Sequence, residues 1–305
     1  MTENIIIFSN LSLSLPFWAI SCNNCPRAGF DFAAAACNNI RRVVMSWMEF
    51  RRYGYLDTNA DNGKVKMQKG QNIAGYAVGI LYNEDVWYPM LPGNVVNATT
   101  YNFPVRLKAV PGSTCDRLFA GDPTLYNSVL QAAKELEREG VRAISSACGF
   151  YGNWQARLAA DLDIPVAISS LVQVPMVAAM LKPGQKIGVL TASKAGLTPA
   201  LLDSCGIWNH DQLVVEDMYF APEFSAIVQD RGEFDNGIVK EEILAAARRV
   251  LEANPDVGAF LLECSDMPPY ASLIQQETQL PVFDFITLIK WLHSATAQRP
   301  YCGFI

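Results

Sequence analysis

Two cysteines of this sequence, Cys148 and Cys264, occupy the same place in a repeated frame and could transfer protons as a pair. Four neighbours of the first cysteine recur 116 positions later: Val141, Ala143, Pro165 and Val166 return as Val257, Ala259, Pro281 and Val282. Two thiols across a cleft can remove a proton from one face of a carbon acid and return one to the other. A helix N-terminus or positive surroundings can lower a thiol pKa from about 8.5, so that thiolate and thiol coexist near neutrality.

Buried strands are predicted to end at both cysteines, because the runs 141–147 and 257–263 are apolar and of strand length. Helical patterns precede and follow each cysteine, and short strands are predicted at 164–169 and 280–285. Two apolar runs with an internal glycine, AVGIL and KIGVL, extend the repeat. Alternating strands and helices predict an α/β architecture with parallel sheets, in which ligands bind at the carboxyl ends of the strands.

The loops after the two cysteine strands could hold a substrate carboxylate through backbone N–H groups at helix starts. Gly149 would let the backbone approach closely, and two hydroxyl groups, those of Ser146 and Ser265, could donate hydrogen bonds. Ordinary strand-end or N-cap chemistry explains these serines equally well. Tyr82, Asn83 and Thr191 follow the glycine-containing strands and could reach the same crevice, or be simple loop residues.

Residues 1–70 match neither copy of the repeat and form an N-terminal extension. We expect it to be disordered or, if translation begins at Met67, absent from the working protein. The start MTEN lacks the positive charge of a signal peptide. Cys22, Cys25 and Cys37 lack a fourth ligand nearby, so no metal site is predicted. The other cysteines, Cys115, Cys205 and Cys302, have no matching context and are interpreted as structural.

Composition excludes several function classes. The 305 residues carry 24 Lys and Arg and a net charge of −6, with no basic stripe for nucleic acid and no apolar run long enough for a membrane span. We expect a cytoplasmic protein that binds a small molecule with a carboxylate or similar acidic group. No lysine stands out as a Schiff-base residue for pyridoxal phosphate, and no GxSxG motif of a Ser-His-Asp hydrolase occurs.

The chain resembles the aspartate/glutamate racemase superfamily in SACGF at 146–150, LECSDMPPY at 262–270 and VFDFITLIKW at 282–291. The loop at 92–105 is similar to that of less characterised relatives. The resemblance implies two similar α/β domains related by pseudo-twofold symmetry, with the last segment completing the first. The expected domains are 71–178 with 282–305, and 179–281, and a homodimer is plausible.

The resemblance implies an isomerase, a cofactor-independent racemase or epimerase of a small amino acid or derivative, with Cys148 and Cys264 as the acid and base. Glutamate racemases carry polar pairs where this chain has Tyr82-Asn83, Gly149-Phe150 and Ser265-Asp266, so glutamate is doubtful as the substrate. Arylmalonate-type decarboxylases keep only the second cysteine, so two thiols argue against decarboxylation. Hydantoin racemase, a maleate-type isomerase with one nucleophilic cysteine, and a non-catalytic two-lobed binding protein stay open as alternatives.

Overall fold

Two parallel sheets form the framework of the described chain. The computed structural model describes residues 71–299 and 301–305. One sheet has the strand order β2-β1-β3 and the other β5-β4-β6-β7, and every neighbouring pair is parallel. The strands are β1 Val78–Asn83, β2 Val105–Val110, β3 Ala143–Ser146, β4 Lys186–Thr191, β5 Leu213–Asp217, β6 Val257–Leu262 and β7 Val282–Phe283.

Helices cover these sheets and connect the parallel strands. They are α1 Cys115–Phe119, α2 Tyr126–Arg138, α3 Gln155–Asp161, α4 Val174–Met180, α5 Pro199–Ser204, α6 Ser225–Val228, α7 Asn236–Ala253, α8 Ala271–Thr278 and α9 Phe285–Thr296. Short 3-10 turns lie between them at Ala98–Thr100, Pro123–Leu125, Gly149–Trp154, Ser170–Gln173, His210–Gln212 and Pro268–Tyr270. The α/β class with parallel sheets is therefore confirmed.

Glycines at the centre of β1 and β4 let a helix pack closely on each sheet. A Cβ atom on Gly79 would lie 2.8 Å from a methyl carbon of Leu136 in α2. A Cβ atom on Gly188 would lie 3.0 Å from a methyl carbon of Val250 in α7. At these distances the neighbouring side chain would have to shift, so the glycine in each apolar run lets the helix pack closely on its sheet.

Two of the long helices, α7 and α9, begin at residues whose side chains cap them. Asp235 accepts hydrogen bonds from the backbone N–H groups of Gly237 and Ile238 at the start of α7. Asp284 and Thr287 form a capping box at the start of α9. That helix buries Phe285, Ile289 and other apolar residues against β1 and β3, so the end of the chain packs on the first sheet.

Two expectations for the strands need adjustment. The run 164–169 makes only an isolated bridge, between Val166 and Ile144, because the chain turns into a 3-10 segment at once. The edge strands β2 and β5 were not predicted, because most of their residues are half-buried and form no continuous apolar run. Cys22, Cys25, Cys37 and the rest of 1–70 lie outside the described residues. No helix of the described part is long and apolar enough to cross a membrane.

Candidate active site

A pocket opens at the carboxyl ends of strands from both sheets. Parallel strands direct their carboxyl ends to one edge, which is why ligands bind there. Its lining combines thiols, carboxyl groups and aromatic rings: Asn83, Val86, Trp87, Tyr88, Cys115, Phe119, Ala147, Cys148, Gly149, Phe150, Ala192, Ile227, Val228, Asp230, Glu263, Cys264, Ser265 and Asp266.

The two cysteines enter the pocket by the same backbone route. Beyond β3, the N–H of Ala147 donates to the carbonyl of Leu81 at 2.7 Å. Beyond β6, the N–H of Glu263 donates to the carbonyl of Leu190 at 2.9 Å. Each bond extends the parallel ladder by one step, and the next residue is the cysteine. The repeated frame of the sequence thus places both thiols at equivalent strand ends.

Burial makes both thiols weak acids in the empty pocket. It raises the pKa of Cys148 well above its ordinary range, and the nearby Glu263 raises it further. Burial is also the largest cause of the raised pKa of Cys264, and the charges of Asp266 and Glu263 raise it further. Backbone N–H groups of Phe150 and Asp266 counteract these rises only partly. The lowering of a thiol pKa that positive surroundings can produce is not seen here, because burial is the largest effect and the described lining contains no Lys, Arg or His.

Asp266 gives the second thiol a proton acceptor. The thiol of Cys264 donates to Oδ2 of Asp266 at 3.6 Å. The other carboxylate oxygen, Oδ1, accepts from the amide of Asn94 at 2.6 Å. Asn94 is fully buried and lies in the loop before β2, so the first sheet's chain orients a group on the second. Burial raises the pKa of Asp266 to about 6.

Glu263 lies behind the second thiol and is completely buried. Its Oε2 atom accepts from the hydroxyl of Thr191 at 2.8 Å and from the backbone N–H of Ala192 at 3.2 Å. These two bonds lower its pKa, but desolvation is the larger effect and raises the pKa to about 7. The carboxyl group therefore titrates near neutrality.

Five of the eight residues expected at the site line the pocket: Cys148, Cys264, Asn83, Gly149 and Ser265. The hydroxyl of Ser265 is engaged elsewhere, since it donates to the carbonyl of Ala147 at 2.8 Å.

Three expected residues, Tyr82, Ser146 and Thr191, are not among the residues that line the pocket. Tyr82 lines a different surface pocket, beside β2. The hydroxyl of Ser146 donates to the carbonyl of Ile168 at 2.6 Å, so its hydrogen bond is made within the fold. Thr191 supports the carboxyl group of Glu263 instead.

Several pocket residues were missed by sequence reasoning. Glu263 and Asp266 flank the second cysteine within the quoted segment 262–270, and their acidity was the available signal. Cys115, interpreted as structural, lines the pocket at the start of α1. Tyr88 donates to the carbonyl of Ala147 at 3.2 Å and accepts from the N–H of Asn83 at 3.0 Å, a contact with no sequence signal.

The pocket is acidic. Three carboxyl side chains line it, those of Asp230, Glu263 and Asp266, whereas its described lining contains no Lys, Arg or His. Within 71–299 and 301–305, no group of three or more His, Cys, Asp or Glu side chains could hold a metal ion. The arrangement suits proton transfer by a thiol next to a positively charged group of a ligand.

Comparisons with known proteins give both a family and relatives. The family model described as Asp/Glu/Hydantoin racemase matches residues 109–292. The chain is 30% identical to a dimethylsulfoniopropionate lyase of Durusdinium sp. clade D over 243 residues, 77% of this chain and 80% of that protein. It is 29% identical to dimethylsulfoniopropionate lyase 7 of Emiliania huxleyi over 230 residues, 72% of this chain and 67% of that protein.

The fold is shared with solved racemase structures. Allantoin racemase from Klebsiella pneumoniae superposes with a TM-score of 0.53 at 17% identity, covering 72% of this chain and 88% of that chain. At this identity the likeness shows the fold alone.

The expected activity must be corrected. The racemase or epimerase assignment, with its hydantoin racemase, maleate-type isomerase and non-catalytic alternatives, is wrong, because the curated relatives are lyases. The two thiols lie at equivalent strand ends, but their neighbouring side chains differ. The sequence repeat did not reveal this difference. Fold and family were nevertheless predicted from the residues around the cysteines, and the match over more than half of its length shows that the chain belongs to the Asp/Glu/hydantoin racemase family.

Proposed function

We propose that this protein is a lyase that cleaves dimethylsulfoniopropionate, with Cys264 as the base. The substrate joins a dimethylsulfonium group to a propionate. Elimination removes a proton from the carbon next to the carboxylate and breaks the bond between carbon and sulfur. The products are acrylate and dimethyl sulfide, which leaves as a neutral molecule and needs no protonation. One base is therefore sufficient, in contrast to a racemase, which needs a group on each face.

The acidic lining beside Cys264 is the observation that carries this proposal. Three carboxyl groups and several aromatic rings line the pocket, and no basic side chain of the described lining opposes a cation. A sulfonium ion is stabilised by carboxylates and by the faces of aromatic rings. The relatives named as dimethylsulfoniopropionate lyases support the same substrate.

Substrate binding would also activate the thiol. In the empty pocket burial and two carboxylates raise the pKa of Cys264. A sulfonium cation nearby favours the thiolate and lowers that pKa. The thiol proton would pass to Asp266, whose Oδ2 atom lies 3.6 Å from the sulfur. The thiolate then takes the proton of the carbon acid, the electron pair of that bond forms the double bond, and the electrons of the broken bond leave on sulfur.

Cys148 would have a different role on the opposite side of the pocket. Among the described residues, no carboxylate accepts a hydrogen bond from this thiol, although the charge of Glu263 raises its pKa. Its neighbours Ala147, Gly149 and Phe150 also line the pocket. We assign to it the packing of the substrate's carbon chain. The substrate carboxylate would accept hydrogen bonds from backbone N–H groups of the two cysteine loops, which hold it without a basic side chain.

Two domains related by pseudo-twofold symmetry would frame this pocket, 71–178 with 282–305 and 179–281. The matching strand orders β2-β1-β3 and β5-β4-β6 support the symmetry, and the packing of α9 on the first sheet supports the return of the chain. Hydrogen exchange tests it, since amides of α9 should become exposed together with β1 and β3. Protection of α9 together with β4 and β6 would contradict it. The homodimer and the cytoplasmic location stay predictions of the sequence, which sedimentation and cell fractionation would test.

Release of dimethyl sulfide tests the proposed reaction. Purified protein should convert dimethylsulfoniopropionate to equal amounts of dimethyl sulfide, measured by headspace gas chromatography, and acrylate, measured by NMR. Cys264→Ser should abolish both products. Cys205→Ser is the matched control, because that thiol is equally buried but does not line the pocket. Absence of both products with the wild-type protein, or full activity of Cys264→Ser, would reject the proposal.

A further inference from the structure

Glu263 has one carboxylate oxygen with partners and one without. Oε2 accepts two hydrogen bonds, from Thr191 and Ala192. Oε1 has no hydrogen-bond partner among the described residues, although the side chain is 0% exposed. A buried oxygen left without a partner costs free energy unless a ligand satisfies it. Glu263 is also one of the residues that line the pocket.

The space around Oε1 is kept open by Gly149. A Cβ atom at position 149 would lie 1.9 Å from Oε1 and 2.6 Å from the carboxyl carbon. Any side chain there would displace the carboxyl group. Glu263 therefore extends from the second sheet up to the loop that carries Cys148, and its free oxygen lies between the two cysteine segments.

The pocket walls indicate which kind of cation fits beside this oxygen. Six large aliphatic or aromatic side chains line the pocket: Val86, Trp87, Phe119, Phe150, Ile227 and Val228. A primary ammonium would lose its hydrogen bonds to water against such a wall. A methylated sulfonium or quaternary ammonium has no N–H to satisfy and interacts favourably with aromatic faces. A single unpartnered carboxylate oxygen supplies its counter-charge.

We infer that Glu263 binds the methylated onium group of the substrate and sets the preference for a cationic over a neutral substrate. The inference rests on the proposed function and names the residue that recognises the sulfonium end. Asp266 is already bound to Asn94 and the thiol of Cys264, and Asp230 accepts from the backbone N–H of Trp87 at 2.8 Å. Glu263 is the carboxyl group of the three that has an oxygen recorded as buried and unpartnered.

Proton linkage agrees with this assignment. Because burial raises the pKa of Glu263 to about 7, part of the population is protonated near neutrality. A bound cation favours the ionised form, so binding should release protons at pH 7. A neutral ligand of the same shape should release none from this group.

Two ligands that differ only in charge test the inference. They are the zwitterion 3-(trimethylammonio)propionate and the anion 4,4-dimethylpentanoate, in which a carbon replaces the nitrogen. We call them the cationic and the neutral ligand after their head groups, because both carry the same carboxylate. We expect isothermal titration calorimetry to show that wild-type protein binds the cation at least about tenfold more tightly. Glu263→Gln should abolish this preference and leave the neutral ligand within about threefold. Glu242→Gln is the matched control, because that carboxyl group also accepts two hydrogen bonds, both from backbone N–H groups, but lies outside the pocket lining.

Equal weakening of both ligands in Glu263→Gln would indicate a structural role and overturn the inference. A retained preference in this variant, or failure of the cation to bind wild-type protein, would overturn it as well. If the variant does not fold, proton release by wild-type protein at pH 7, measured in buffers of different ionisation enthalpy, decides instead, and its absence counts against Glu263.

These measurements require no turnover, so the two proposals can fail separately. Loss of the preference without formation of dimethyl sulfide would retain the onium site and reject the reaction. Formation of dimethyl sulfide with an unchanged preference would do the reverse.

Discussion

The two cysteine segments share a backbone and differ in their side chains. Before the thiol, the first segment has Ala147 and the second has Glu263, and each extends its sheet by the same hydrogen bond. Two positions after the thiol, Phe150 in the first segment corresponds to Asp266 in the second. The first segment therefore carries apolar residues at the positions that hold carboxyl groups in the second, although Glu263 acts on both thiols.

This difference explains why a repeat can mislead about function. Racemisation requires a proton carrier on each face, and equivalent thiols at equivalent strand ends fit that requirement. Elimination with a neutral leaving group requires one base and a partner for its proton. Only the second segment provides the acceptor, because the thiol of Cys264 donates to Asp266. The repeated backbone conserves position, and the side chains around it determine the chemistry.

Replacing each thiol in turn should give the largest effect on turnover, and the two variants should differ. Cys264→Ser should lower kcat by about 10³-fold, since a hydroxyl is a far poorer base at neutral pH. Cys148→Ser should lower kcat/KM by no more than about tenfold, because that thiol only packs against the substrate. Steady-state release of dimethyl sulfide measures both. Equal losses in the two variants would show that the sides are functionally matched after all.

Removing the proton acceptor should have the next largest effect. Asp266→Asn should lower kcat by about 10- to 100-fold, the value of a hydrogen bond to a charged group. Since the pKa of Asp266 is raised to about 6, the wild-type kcat should fall as pH decreases through 6 and the carboxylate becomes protonated. The variant should lose this acidic limb. Wild-type kcat with an unchanged pH profile would exclude Asp266 from the reaction.

Glu263 should lower the free energy of unfolding at neutral pH, because its buried carboxyl group must ionise. Ala147, at the matching position of the first segment, has no such effect. Its pKa is 4.5 in the unfolded chain and about 7 in the fold, so the folded state holds the proton more tightly between those values. Stability from this group is therefore present below pH 4.5 and falls as pH rises to 7, by about 3 kcal/mol. Urea unfolding of wild type and Glu263→Gln at pH 5 and pH 8 measures it, and the variant should gain relative stability at pH 8. Parallel curves would contradict the raised pKa.

Ser265→Ala should have the smallest effect. Its hydroxyl donates to the carbonyl of Ala147 and ties the two segments together. Loss of this bond should lower the free energy of unfolding by about 1 kcal/mol, with kcat and KM within about twofold of wild type. Urea titration measures the loss of stability expected for a structural role, and steady-state kinetics measures the rise in KM expected for a substrate-binding role. A large rise in KM would restore Ser265 as a substrate-binding residue.

Much of the framework could be predicted from the sequence. Continuous apolar runs identified β1, β3, β4 and β6, and the repeat placed both cysteines at strand ends. The edge strands β2 and β5 were missed because their residues are half-buried and show no such run.

The chemistry of the site depended on contacts that local patterns do not encode. Asn94 and Asp266 are 172 positions apart and meet only in the folded chain. The direction of a thiol pKa depends on burial and on neighbouring charge, and both follow from packing. Sequence reasoning therefore located the two thiols, whereas their unequal surroundings required three-dimensional contacts.

The close approach of Gly149 to Glu263 has a consequence for homologous sequences. Because a Cβ atom at 149 would lie 1.9 Å from Oε1, a glutamate at the second position and any side chain at the first exclude each other. The two positions should therefore change together: a relative with alanine or serine in place of the glycine must carry a shorter residue in place of the glutamate. This pair of residues, 114 positions apart, would then distinguish relatives that bind onium compounds from those that act on neutral or anionic ones.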